Sequence, residues 1–421
     1  MQIKKIGRAR GELCVPGDKS ISHRGVMLGA IAGGVSEISG FLNGADCLST
    51  ISCFQKMGVN IERLGENVKV FGNGLSGLKA PAETLYTGNS GTTTRLLAGL
   101  LAGQKFDSVI DGDASIAKRP MGRVVKPLTL MGASIDGEFC PLKIQGRSLH
   151  GIEYNTGVAS AQVKTAIALA GLYAEGETVI HEPALSRNHT ELMLKAMGAN
   201  IETNDCTVKI SHTDRLEPQK FEVPGDISSA AFFIVLAAIL PKSEITVKNV
   251  GINPTRSGIL DVMERMGAQI KLENKRIAAG EDVCDIVVRS SELKGTVIEG
   301  NIIPRLIDEL PVIAAAAAVA EGRTEIRDAA ELKVKETNRI AAVVTELLRC
   351  GVDITETDDG MIINGGKPIT GAAFKSYNDH RMAMSMAILA QTADGDSSID
   401  DENCVSISYP NFFDDLYKLG K

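Results

Sequence analysis

The sequence contains no tryptophan, and aromatic residues make up only 4% of it. Its interior must therefore be built from Ala, Val, Ile, Leu and Met, a composition that suits helices layered on sheets. Basic residues are not in excess either: 45 Lys and Arg face 52 Asp and Glu, for a formal net charge of −7. A mildly acidic chain makes a poor nucleic-acid binder, because affinity for a phosphate backbone rests on basic surface. None of the eight cysteines forms a CxxC pair, and their dispersal argues against a zinc module or a disulfide framework. Reduced structural thiols and no metal are expected. Met1-Gln2-Ile3-Lys4-Lys5 is not followed by the apolar run of a signal peptide. The longest apolar stretches, around residues 230–240 and 310–320, are too short to cross a bilayer. These absences predict a cytoplasmic protein that binds neither membrane nor nucleic acid.

What is present is repetition. At 421 residues the chain exceeds one ordinary core, so two domains are expected. Lys56-Met57-Gly58-Val59-Asn60-Ile61 returns as Leu130-Met131-Gly132-Ala133-Ser134-Ile135, then as Ala196-Met197-Gly198-Ala199-Asn200-Ile201 and Arg265-Met266-Gly267-Ala268-Gln269-Ile270. Arg349-Cys350-Gly351-Val352-Asp353-Ile354 is a looser copy, and Leu419-Gly420 stands just before Lys421, the last residue. Each phrase follows an amphipathic stretch, and most precede an alternating one. A helix closed by Gly in the left-handed C′ position, then a strand, fits that pattern. Six copies of one α/β unit follow. A longer echo pairs Val15-Pro16-Gly17-Asp18-Lys19-Ser20 with Val223-Pro224-Gly225-Asp226-Ile227-Ser228. It predicts two halves of three units, with crossings near Gly17 and Gly225. The expected domains are 21–224 and 1–20 plus 225–421.

Two familiar phosphate motifs fail on context. Gly72-Asn73-Gly74-Leu75-Ser76-Gly77 fits GxGxxG, but Leu78-Lys79-Ala80-Pro81 follows where a helix is required. Gly17-Asp18-Lys19-Ser20 lacks the Gly-Lys junction of a nucleotide loop. Cations at turns and helix starts remain. Lys19-Ser20-Ile21-Ser22-His23-Arg24 opens an apolar helix that Ser20 can cap, with Arg24 over the same face; a helix N-terminus flanked by Lys and Arg is an anion site. Thr87-Gly88-Asn89-Ser90-Gly91-Thr92-Thr93-Thr94-Arg95 offers small residues that let backbone N–H groups approach a ligand. Lys118-Arg119-Pro120 sets two cations before a Pro suited to a first helical turn. Ser160-Ala161-Gln162 and Ser186-Arg187-Asn188 open further helices.

The C-terminal half repeats the theme. Asp308-Glu309 interrupts a strongly apolar run, where an acid is costly unless paired. Lys335, Glu336 and Arg339 are spaced to share a helix face, so two cations flank one carboxylate. Asn378-Asp379-His380-Arg381 precedes an apolar helix. Each motif alone also reads as an ordinary capped helix start. Recurring in phase with a six-unit repeat, they point to multiply charged phosphates, for which forked Arg contacts are suited.

Together these motifs resemble the EPSP synthase family of enolpyruvyl transferases, in family order from Gly17 to Tyr409. The resemblance implies two inside-out α/β domains, each of three repeated βαβαββ-like units, with the active site in the interdomain cleft. It implies transfer of the enolpyruvyl group from phosphoenolpyruvate to shikimate 3-phosphate by a monomer, without cofactor or metal. Lys19 resembles a lysine shared by both substrates. Ser20, Arg24, Ser160, Gln162 and Lys335 resemble contacts to shikimate 3-phosphate, with Arg187 near its phosphate. Gly91, Arg119, Arg339 and Arg381 resemble phosphoenolpyruvate contacts, and His380 stands in the same motif. Asp308 resembles the base at the acceptor hydroxyl, and Glu336 a proton carrier at the methylene carbon. Glyphosate, which competes with phosphoenolpyruvate in this family, is expected to inhibit, because Gly91 carries no methyl to crowd the site.

Three departures stand out. Ile407 falls where the family commonly has a Lys, Leu96 replaces a frequent Pro, and Ala161 replaces a Ser of some members. The related UDP-N-acetylglucosamine carboxyvinyltransferases carry a loop Cys near the segment occupied here by Ala114-Ser115-Ile116-Ala117-Lys118, which has none. A non-catalytic anion-binding scaffold is the reading from a different class, and the presence of both Asp308 and Glu336 argues against it.

Overall fold

The glycine-centred phrase marks the same joint five times in the computed structural model, which describes residues 1–278 and 280–421. Gly58, Gly132, Gly198, Gly267 and Gly351 all have φ between +83° and +100°, where an L side chain is strained. Each ends a helix, and a strand begins two residues later, or three after Gly198. Gly420 departs from this expectation, since it lies outside the left-handed region. The last sheet is completed by Gln2–Ile3, paired antiparallel with Ser397–Ile399.

The α-helices are α1 (Lys19–Ala30), α2 (Ala45–Lys56), α3 (Gly91–Ala102), α4 (Gly122–Leu130), α5 (Ala161–Gly171), α6 (His189–Ala196), α7 (Ile227–Ile239), α8 (Gly258–Arg265), α9 (Leu310–Val319), α10 (Arg339–Arg349), α11 (His380–Leu389) and α12 (Phe412–Lys418). Around α3 and α4 the repeat is complete: strand Leu85–Tyr86, helix, strand Ser108–Asp111, helix, then the hairpin Ser134–Asp136 and Leu142–Gln145. The first two strands pair in parallel, as a helical crossover requires, and the hairpin adds antiparallel. The sheets around α5/α6 and α9/α10 have the same order. Those around α1/α2 and α7/α8 borrow their first strand from a distant part of the chain, Lys220–Glu222 and Arg10–Cys14 respectively.

Two compact units result, Gly17–Val223 and Met1–Pro16 with Pro224–Lys421. The first holds α1–α6 and three sheets, and the second α7–α12 and three sheets. Within each unit the odd-numbered helices are the inner ones. Every residue of α7 and of α11 is buried, and a helix apolar all round has nowhere else to go. The even-numbered helices bury one stripe. Strands such as Leu142–Gln145 alternate buried and exposed, with one face on the helices and the other in water. Helices inside and sheets outside is the arrangement the resemblance implies.

The apolar stretches of the sequence are α7 and α9. Among the described residues no helix is long and apolar enough to cross a membrane. All eight cysteines are thiols.

Candidate active site

In the first unit the starts of α1, α3 and α5 carry the predicted cations and small residues, with the positive ends of three helix dipoles behind them. Lys19 opens α1, and its ammonium is paired with Asp46 in the first turn of α2. Asp46 is nearly buried, and its main-chain oxygen accepts from Thr93 of α3 at 3.4 Å. Arg24 is 3% exposed. Its Nε donates to Thr190 Oγ1 at 2.7 Å, Nη2 to Thr165 Oγ1 at 3.0 Å and Nη1 to the Ser20 carbonyl at 3.0 Å. Arg24 thus braces α1 against α5 and α6. Arg187 reaches across to donate to Ser20 Oγ at 3.1 Å.

A second group surrounds the α3 start. Gly91 is the first residue of α3, and a Cβ built there would lie 2.8 Å from Arg95 Nη1 and 3.2 Å from Arg119 Nη1. Arg95 Nη1 donates to Gln162 Oε1 at 2.7 Å, and Gln162 Nε2 donates to Thr92 Oγ1 at 3.0 Å. Ser160 is the half-buried N-cap of α5. Gly91, Arg119 and Gln162 therefore lie around one guanidinium, that of Arg95, whose role sequence reading missed. His23 adds no charge to this cationic region. Burial, then the nearby Lys19 and Arg24, push its pKa well below the ordinary value, and it is hydrogen-bonded to Thr50 at 2.7 Å.

In the second unit three cations and four acids converge. Asp308 Oδ1 accepts from Lys335 Nζ at 3.1 Å and from Arg339 Nη1 at 3.4 Å. Arg339, 1% exposed, also donates to Glu336 Oε2 at 2.6 Å and to both oxygens of Asp379 at 2.8 and 3.2 Å. Burial opposes the Arg339 charge, but these carboxylates outweigh it and raise its pKa further, so it is always a cation. Arg381 Nη1 donates to the Asp308 carbonyl at 3.3 Å and lies 3.8 Å from Glu309. His380 is buried beside it at the start of α11. Asp379 caps α11 by accepting from the Arg381 N–H at 2.9 Å, which ties the Arg339 site to that helix start.

Several local expectations are corrected. Asp18, not Ser20, caps α1, by accepting from the Ile21 N–H at 2.9 Å; Ser20 is inside the helix and meets Arg187 instead. Pro120 is not in a first helical turn, because Ile116–Lys118 is a separate 3-10 turn and α4 starts at Gly122. Lys335, Glu336 and Arg339 do not share a helix face. Only Arg339 belongs to α10, which Asn338 caps, and Lys335 is extended. Asp308 and Arg339, rather than helical spacing, draw them together. Ile407 is half-buried at the end of a 3-10 turn, Asn403–Ile407.

Glu309 is a further carboxyl that sequence reading left without a role. It is 1% exposed and accepts from Ser228, whose Oγ accepts in turn from Arg256 Nη2 at 2.8 Å. Burial raises its pKa above the usual 4.5; Arg256 and Arg381 pull it back and Asp308 raises it. A carboxyl that holds its proton longer when folded destabilises the fold as it ionises. Stability is therefore lost as pH rises from about 4.5 through the raised value. Glu309→Gln cannot ionise. Its melting temperature is expected to fall less than that of the parent as pH rises from about 4.5. Equal slopes would mean that Glu309 ionises as readily folded as unfolded.

A sequence model of the family described as EPSP synthase (3-phosphoshikimate 1-carboxyvinyltransferase) matches residues 3–416. The chain is 54% identical over 422 residues to a 3-phosphoshikimate 1-carboxyvinyltransferase from Desulforamulus reducens, covering 99% of this chain and 98% of that protein. It is 55% identical over 415 residues to one from Bacillus thuringiensis, covering 98% and 97%. A solved structure of EPSP synthase from Acinetobacter baumannii superposes with a TM-score of 0.87 at 45% identity, over 98% of this chain and 96% of that one.

Proposed function

The chain belongs to the EPSP synthase (3-phosphoshikimate 1-carboxyvinyltransferase) family, and from that premise we propose which of its residues perform the reaction. It transfers the enolpyruvyl group of phosphoenolpyruvate to the 5-hydroxyl of shikimate 3-phosphate and releases phosphate. The observation that carries the assignment is the meeting of Lys335, Arg339 and Arg381 around Asp308. Anionic substrates compete with that carboxylate for its cations and, by binding them, free it to act on a bound hydroxyl.

Asp308 takes the proton of the 5-hydroxyl as its oxygen bonds to the central carbon of phosphoenolpyruvate. Glu336 supplies a proton to the methylene carbon, which makes that central carbon electrophilic. The methyl proton then returns as the C–O bond to phosphate breaks, restoring the enol. Arg339, Arg381, Arg119 and Lys19 offset the charge on the departing phosphate. Ser20, Arg24, Ser160, Gln162, Arg187 and Lys335 hold the acceptor. Holding both reactants in register converts an encounter of two solutes into a local event. The enzyme works as a cytoplasmic monomer, for which light scattering is expected to give 44.6 kDa.

Incubation with phosphoenolpyruvate and either shikimate 3-phosphate or UDP-N-acetylglucosamine tests the assignment through phosphate release. Release with shikimate 3-phosphate alone is expected, and turnover only with the amino-sugar nucleotide would overturn it. Gly91→Ala tests the donor side. Its methyl must push aside the tips of Arg95 and Arg119, both flexible, so the fold is kept. The phosphoenolpyruvate KM is expected to rise roughly severalfold, since small displacements of binding groups are costly, and the glyphosate inhibition constant to rise by more. Equal effects on both constants would contradict the steric account.

A further inference from the structure

Beneath the acceptor-side groups of the first unit lies a buried charged cluster with no part in the chemistry. Lys164, in the first turn of α5, has its ammonium 2.7 Å from Glu182 Oε2 and 2.7 Å from Glu191 Oε1. The three side chains are 1%, 1% and 4% exposed. Ions taken this far from water are expensive, and apolar residues of similar size would often serve stability as well or better. What apolar residues cannot supply is direction.

The cluster holds every polar group of Ser186. Its hydroxyl and its N–H, the latter at 3.4 Å, donate to Glu182, and its carbonyl accepts from Lys164 at 3.4 Å. Arg187 is the next residue, and it is the one that reaches Ser20. On the other side, Thr165 follows Lys164 and Thr190 precedes Glu191; their hydroxyls are 2.7 Å apart and both accept from Arg24. The charged trio and the Arg24 web therefore form one frame linking α5, α6 and the connecting segment 182–188.

We propose that the Lys164–Glu182–Glu191 cluster is a positioning device for the acceptor, fixing the backbone at Ser186 so that Arg187 is aimed at the phosphate of shikimate 3-phosphate. This rests on the reading above that Arg187 binds that phosphate. The trio touches no substrate; it acts through the residues it holds. Displacing a binding group by about 1 Å can cost about 10²-fold in rate, so an effect on one substrate only is the expected signature.

Initial-rate kinetics of the full chain, with each substrate varied in turn and melting temperatures recorded alongside, test the proposal. Lys164→Met is expected to raise the KM for shikimate 3-phosphate roughly tenfold or more, with the phosphoenolpyruvate KM changed by less than about twofold. Glu182→Gln, nearly isosteric, is expected to shift the same constant in the same direction by less, and it decides the matter if Lys164→Met does not fold. The double variant Lys164→Met/Arg187→Ala is expected to be no worse than Arg187→Ala alone, because a frame has nothing left to aim. Lowered melting temperatures with both KM values unchanged would reduce the cluster to a structural role and overturn the proposal. Arg187→Ala separates the two levels. A raised acceptor KM there, with none in the cluster variants, sinks this proposal alone, whereas an unchanged acceptor KM sinks both it and the reading that Arg187 binds the phosphate.

Discussion

Replacing Asp308 by alanine is expected to lower kcat by about 10²–10⁴-fold, the usual range for removing a positioned general base. The protein should remain folded. Arg339 keeps Asp379 and Glu336 as partners, and the Lys335 side chain, 28% exposed, can turn to water. The KM values are the informative control. A base that acts on the hydroxyl should reduce kcat far more than it alters binding, and removal of a negative charge should if anything ease the approach of two anions. Phosphate release under saturating substrate measures this directly. Turnover at the parent rate would place the base elsewhere in the molecule.

Arg339→Met is expected to damage both stability and turnover. The guanidinium is 1% exposed and bonds to Asp379, Glu336 and Asp308, so its loss strands buried carboxylates with one cation fewer. Removing one partner of a buried ion pair typically costs about 3–5 kcal/mol. The deficit should narrow at acid pH, where stranded carboxylates can take up protons, and denaturant melts at two pH values will show it. Arg339→Lys keeps the charge but not the fork that spans both oxygens of Asp379, and is expected to recover only part of the loss. A fully stable, fully active methionine variant would remove Arg339 from both roles.

Much of the repeat was legible because its causes are local. A glycine in the left-handed region closes a helix wherever it falls, and an apolar stretch such as Ala230–Leu240 announces an inner helix without help from the rest of the chain. The exceptions are instructive. Gly420 lacks the strained φ of the other five, and Gln2–Ile3 joins the last sheet from a distant part of the sequence. Ser20 looks like a cap in the sequence, but Asp18 is better placed for the Ile21 N–H, which leaves Ser20 to meet Arg187.

Partner choice was illegible for a different reason. Asp46 with Lys19, Asp379 with Arg339, and Glu182 and Glu191 with Lys164 are separated by up to 40 residues, and no spacing rule joins them. Helical spacing even suggested a false cause for the grouping of Lys335, Glu336 and Arg339, since the first two precede α10.

The sequence by itself determined the six α/β repeats, the glycine joint in five of them and most of the charged residues near helix starts, because turn strain, capping and hydrophobic periodicity act within a few residues. Only the tertiary structure decided which acid holds which cation and that Lys164, Glu182 and Glu191 lie sealed together. Those pairings depend on distances between helix starts, and such distances exist only once the inner helices of a unit have packed against one another.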